Sequence, residues 1–158
     1  MKIYKLKRSQ NVNASIEDIW AFFSSPENLN VLTPPNMGFE ILSPTPIPDM
    51  YQGQIIEYKV RPILNIPIYW KTEITEVSDN KFFVDEQLNG PYKLWRHKHI
   101  FSKSDNGKGV HMVDDLEYAL PLGPLGSLAH SLYVKERLKE IFDYRYEMVE
   151  KIFNQKNV

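Results

Sequence analysis

The stretch Phe82–Phe101, reading FFVDEQLNGPYKLWRHKHIF, decides how this chain folds. Successive side chains of a β-strand point to opposite faces, so residues two apart share a face. Counting by twos, Asp85 and Gln87 lie on one face, as do Trp95, His97, His99 and Phe101 beyond the Gly90-Pro91 break. A face carrying Trp and Phe is expected to be buried, and polar groups interleaved with them then need partners or a ligand. The stretch therefore predicts a polar-floored pocket inside a β-rich domain. It names no substrate.

Working outward, the pattern stays β from Gly38 to Leu122. Short strands are expected at Phe39–Leu42, Gln54–Arg61, Trp70–Val77, Lys81–Leu88, Leu94–Lys103 and Val110–Leu120, most joined as antiparallel hairpins. Asp105-Asn106-Gly107 marks the turn before the last of them. Upstream, residues 2–12 read as a further strand. Ser15 is placed to cap a short helix carrying Ile16, Ile19, Trp20 and Phe23 at helical spacing. Ser25-Pro26-Glu27 starts a second helix that stops before Pro34-Pro35.

The tail from Ser127 to about Asn154 reads as one helix with a broad apolar stripe that includes Leu128, Leu132, Leu138, Phe142 and Val149. At 1.5 Å rise it spans roughly 40 Å, enough to cross a sheet. Gly123-Pro124-Leu125-Gly126 is expected to be a turn ahead of it, with Ser127 as cap. The segments Val31–Pro35 and Pro44–Met50 are expected to rim the pocket mouth.

Composition sets the outer limits. The 158 residues suit a single domain, 1–158. Aromatics make up 13%, many for this length, which suits a dense core or a cavity lining. The net charge of −1 with interspersed signs gives no footprint for nucleic acid. The lack of cysteine excludes disulfides, zinc–thiolate sites and thiol nucleophiles. The start lacks the apolar core of a signal peptide and no apolar run approaches a membrane span, so a cytoplasmic protein without integral membrane association is expected. Oligomeric state is not legible here.

A curved seven-stranded sheet leaves a concave face that something must cover, and the long helix is the obvious cover. This order, β-α-α-β6-α, resembles the helix-grip fold of the START-like (SRPBCC) superfamily, an α+β architecture in which a curved antiparallel sheet wraps a long C-terminal helix around an internal cavity. Within it the chain is similar to the small bacterial ligand-binding SRPBCC domains, some of whose relatives are labelled cell-division inhibitors. The match is carried by Asn28-Leu29, Thr33-Pro34-Pro35, Gly53, Trp70, Phe83 through Gln87, Gly90-Pro91-Tyr92, Trp95, His97, His99, Phe101, Asp114, Tyr118 and Pro121-x-Gly123-x-x-Gly126. The resemblance implies a cavity that holds a small molecule and establishes no reaction.

Three groups of residues are candidates for the site. His97 and His99 place two imidazoles on one strand face about 7 Å apart, suited to hydrogen bonding, acid–base work or a metal. No third ligand stands at a diagnostic spacing, so neither metal nor cofactor is expected. Asp85, Gln87 and Asp114 supply partners for them, provided the register turns them inward rather than toward Arg96 and Lys98. Tyr58, Trp70, Trp95, Phe101 and Tyr118 offer either an aromatic cavity wall or ordinary core packing. The expected function is binding of a small hydrophobic or aromatic molecule. The alternatives are a cyclase, dehydratase or isomerase using the His/Asp cluster, and a regulatory interaction domain read by its surface. No nucleophile motif such as GxSxG is present.

Overall fold

Period two in the sequence becomes period two in burial. Along β7 (Val110–Ala119), Val110, Met112, Asp114, Leu116 and Tyr118 are buried and the residues between them are partly exposed. The computed structural model describes residues 1–63 and 65–155. β1 (Tyr4–Val12) leads into α1 (Ile16–Phe23), a 3-10 turn (Pro26–Asn28), α2 (Leu29–Leu32) and a second 3-10 turn (Pro35–Met37). Then follow β2 (Glu40–Ile41), β3 (Ile55–Ile63), β4 (Ile66–Ser78), β5 (Phe82–Asn89), β6 (Leu94–Lys103) and β7. Ser15 caps α1 as expected, accepting from the Asp18 backbone N–H at 3.1 Å.

The seven strands form one antiparallel sheet in the order β1-β7-β6-β5-β4-β3-β2. The first strand thus closes against the last, which a simple meander does not do. Register shifts between β4 and β5, near Thr72 and Thr75, bend this part of the sheet. The result is the α+β helix-grip architecture, a curved seven-stranded sheet with a long helix across it.

The final helix begins earlier than the sequence suggests. α3 (Gly123–Ala129), a π-helical turn (His130–Val134), α4 (Lys135–Val149) and a second π-helical turn (Glu150–Asn154) follow one another without a gap. Pro124 sits in the first turn, where its missing N–H costs nothing, so the Gly-Pro pair starts the helix and Ser127 lies inside it. Gly126 is there for space: a Cβ at this position would lie 2.1 Å from the Pro121 carbonyl oxygen. Leu128 and Leu132, expected in the buried stripe, are exposed.

Two clusters fill the interior. Phe23, Phe83, Phe101 and Val149 belong to one, with Ile19 and other residues of α1. Leu116, Tyr118, Leu138 and Phe142 form the other, between β7 and the long helix. The candidate site lies where the sheet's central strands meet α4.

Candidate functional site

The register turns Asp85, His97, His99 and Asp114 inward. Asp85 stands opposite His97 across β5 and β6, and His99 opposite Asp114 across β6 and β7. The shortest hydrogen bonds run diagonally instead. His97 Nε2 lies 3.0 Å from Asp114 Oδ1, and His99 Nε2 lies 2.8 Å from Asp85 Oδ2. Diagonal neighbours on a sheet are within reach of long side chains, so each imidazole crosses to the next carboxylate along. Arg96, on the other face, pairs with Glu86 and Glu76, which excludes the register shifted by one residue.

The fifth member comes from α4. Arg145 grips Asp114 through two parallel hydrogen bonds, Nε to Oδ2 and Nη2 to Oδ1, both 3.0 Å. Its Nη2 also lies 3.0 Å from His99 Nδ1, and its guanidinium carbon sits 5.0 Å from the Phe23 ring centre. Sequence reading missed this residue. The signal was present, because Arg145 falls at helical spacing among Leu138, Ile141, Phe142, Met148 and Val149, where an unpaired charge would be costly.

These contacts fix where the protons sit. Arg145 is only a donor, so His99 Nδ1 accepts from it and His99 Nε2–H donates to Asp85. His97 Nε2–H donates to Asp114. Its Nδ1 lies 3.7 Å from Asp85 Oδ2, too far for a hydrogen bond. Trp95 Nε1–H donates to Asp85 Oδ1 at 3.2 Å.

Charge follows the same geometry. Burial alone pushes the Asp114 carboxyl up, but the Arg145 charge and the hydrogen bond from His97 hold it well below the usual range. Asp85 is likewise pushed up by burial and pulled lower overall by His99, His97 and Trp95. Burial and the neighbouring His99 push His97 down, against the pull of Asp114, and keep it neutral. Two carboxylates, one guanidinium and two neutral imidazoles leave this buried group with one net negative charge.

The cluster forms one wall of a pocket of about 150 Å3 between the sheet, α2 and α4. Six of the expected site residues line it: Tyr58, Trp70, Asp85, Trp95, His97 and His99. Leu32, Met37, Phe39, Ile141 and Phe142 close it from the helical side and the mouth. Of the expected rim, Leu32, Thr33 and Met50 reach the pocket, whereas Val31 is exposed and Pro44–Asp49 do not line it. The Tyr58 hydroxyl is pushed up by burial and by the Asp85 charge, and stays protonated.

Four expected residues lie elsewhere. Asp114 stands behind the two histidines rather than on the pocket surface. Phe101 and Tyr118 face inward, but Phe101 lies two residues beyond His99 and Tyr118 four beyond Asp114, roughly 7 and 13 Å along their strands. Phe101 packs with Trp20, Phe23 and Phe83 beneath α1. Tyr118 shares a 2.8 Å hydrogen bond with His130, which stacks on Tyr4. Gln87 braces the β5–β6 turn instead: its Nε2 donates to the Tyr92 carbonyl at 2.7 Å and its Oε1 accepts from the Tyr92 N–H at 3.2 Å. A Cβ on Gly90 would lie 2.4 Å from that Oε1, which explains the glycine.

Asp85, His97 and His99 each offer one ligand atom, all within 4.8 Å of one another, and these are residue types that hold divalent cations. In the observed arrangement His99 Nε2 bears a proton and Arg145 caps Nδ1. A cation bound by His99 therefore requires either the Nε2 proton to leave or Arg145 to withdraw from Nδ1.

Comparison with known proteins speaks to the fold. A START superfamily protein from Mycobacterium smegmatis superposes with a TM-score of 0.69 at 15% identity, over 97% of this chain and 99% of that one. The fold is START-like. A Thermus thermophilus protein matches with a TM-score of 0.69 at 16% identity, over 94% of this chain and 95% of that one. Major latex-like protein 151 of Panax ginseng matches with 0.67 at 11% identity, covering 94% and 96%. No family model and no curated protein matches the sequence. No helix among the described residues is long and apolar enough to cross a membrane.

Proposed function

We propose that the chain, acting as one domain, binds one small hydrophobic or aromatic molecule in the pocket between the sheet and α4. The observation that carries this reading is the pocket itself: about 150 Å3, walled by aromatic and aliphatic side chains, with Asp85, His97, His99 and Arg145 gathered on one side. Apolar walls with a few convergent polar groups are the usual make-up of a small-molecule site. A cavity of that size suits a single aromatic ring. Tyr58, Trp70 and Trp95 would supply contact area, and the His97–Asp85 edge would fix orientation. The sequence block from Asp85 to Phe101 supports the narrower likeness to small bacterial ligand-binding SRPBCC domains.

The test is native mass spectrometry of freshly purified protein, followed by NMR titration with ring-sized apolar probes. Binding should be lost in Ile141→Trp, which fills the pocket, while folding persists. Protein that carries no small molecule and shows no shift with any such probe sinks the reading.

A second reading has one observation in its favour. A neutral imidazole whose far nitrogen is held by a carboxylate is the arrangement of a general base, and His97 with Asp114 has it. The reaction class would be isomerisation, dehydration or cyclisation of a carbonyl compound. Turnover should then rise with pH through a His97 pKa below the usual 6.5. Turnover that survives His97→Leu would remove this reading.

A further inference from the structure

The polar edge of the pocket presents acceptors. With His97 Nε2–H committed to Asp114 at 3.0 Å, a neutral His97 has a bare lone pair at Nδ1. That lone pair stands 3.7 Å from Asp85 Oδ2, itself a carboxylate oxygen. Both residues line the pocket. Two acceptors thus face each other with no donor between them, and the donors bonded around them are engaged, His99 Nε2–H on Asp85, Trp95 Nε1–H on Asp85, and Arg145 on Asp114 and His99, whereas Trp70 Nε1–H and the Thr72 hydroxyl, on the β4 wall of the pocket, have no partner among the described residues. Such a pair of acceptors is stabilised by an incoming O–H or N–H and repels an incoming lone pair.

From this geometry we infer that the pocket selects a ring-borne neutral hydrogen-bond donor, an O–H or N–H, over ligands that present only an acceptor, an anion or a hydrocarbon edge. The inference deepens the binding reading and rests on it. The net negative charge of the cluster excludes carboxylates, and the apolar walls disfavour a fully charged ammonium. Ring size follows from the volume, and the donor follows from the tautomers that Arg145 and Asp114 impose.

The selectivity carries a pH signature. Protonating His97 places a hydrogen on Nδ1, which removes that acceptor, and the imidazolium charge offsets the Asp85 carboxylate 3.7 Å away without a ligand. The groups facing His97 are Asp85 from β5, His99 from its own strand, Asp114 from β7, Arg145 from α4 and the neutral phenol of Tyr58 from β3. Burial and His99 already lower its affinity for a proton, so the switch lies on the acid side of neutrality.

The experiment uses the intact chain and three probes of similar size, phenol, toluene and benzoate, with dissociation constants from calorimetry or NMR. At about pH 7.5 phenol should bind about tenfold more tightly than toluene, the worth of one hydrogen bond to a charged acceptor, and benzoate most weakly. Phenol and toluene keep their charge on acidification, so their affinity ratio should fall toward one as the protein, and only the protein, titrates. His97→Leu removes one of the two facing acceptors and should lower the ratio several-fold at neutral pH. Equal binding of phenol and toluene at neutral pH overturns donor selectivity and leaves the pocket as a binding site. A phenol preference that acid does not change assigns the donor contact to another group, and overturns it equally. Failure of all three probes to bind overturns the pocket reading and this inference with it.

Discussion

The two halves of the C-terminal helix carry the same kind of apolar stripe and meet opposite fates. In α4, Leu138 is 2% exposed and Phe142 4%, packed against the sheet. In α3 and the turn after it, Leu125 is 68% exposed, Leu128 56% and Leu132 74%. Meanwhile Arg145, a formal charge, is buried at 7%. Hydrophobicity states a preference for burial, but a partner surface must grant it. The inward residues of β5, β6 and β7 provide that surface beneath α4, and their carboxylates even draw in a guanidinium. The outer half of the helix offers its leucines no comparable cover.

This contrast can be broken by mutation. The largest effect should come from Arg145→Ala, which leaves Asp114 buried without its cation. Denaturant unfolding should show a loss of about 3–5 kcal/mol, as when one partner of a buried ion pair is removed. A loss below about 1 kcal/mol would mean the pair is solvated in solution, on the scale of surface pairs. Leu138→Ala should follow closely, at about 2–5 kcal/mol for an enclosed leucine.

Acidification tests the site's share of stability. His97 is held neutral by burial, so its folded pKa lies below the ordinary value. Between the two pKa values the unfolded chain binds more protons, and stability rises with pH. Tm should therefore fall as pH drops below about 6.5. It should fall again below about 4, because Asp85 and Asp114, both depressed in the fold, stabilise it only while ionised. In His97→Gln the first step should shrink to the part carried by His130, whose pKa burial also lowers, and the second should stay. The smallest effect belongs to Leu132→Ala, within about 0.5 kcal/mol as for other exposed positions. A cost near that of Leu138→Ala would show that the outer stripe is covered in solution, and the contrast between the halves would fail.

Much of the fold was legible because it depends on local periodicity. Alternation placed β6 at Leu94–Lys103 to the residue, and Ser15 capped α1 where its hydroxyl could reach the Asp18 N–H. The inward face of Asp85, His97, His99 and Asp114 followed from the same counting. Distance along a strand was not legible in its consequences. Phe101 and Tyr118 share the inward face, yet Phe101 packs beneath α1 and the Tyr118 hydroxyl bonds His130 ahead of α4, because the covering elements change every few residues. Gln87 shares it too, and was claimed by the Tyr92 backbone at the turn.

The sequence by itself determined the order of elements, the side of the sheet each strand residue faces, and the gathering of imidazoles and carboxylates on one wall. Those properties are set by spacings of two and of about 3.6 residues, which the chain carries locally. Only the tertiary structure decided that Arg145 completes the cluster, that the diagonal contacts leave His97 Nδ1 and Asp85 as facing acceptors, and that the pocket ends where Phe101 and Tyr118 begin. Each of those depends on how α4 and α2 cross the sheet. The crossing is a long-range packing outcome, with Arg145 and Asp114 separated by 31 residues, and no local pattern encodes it.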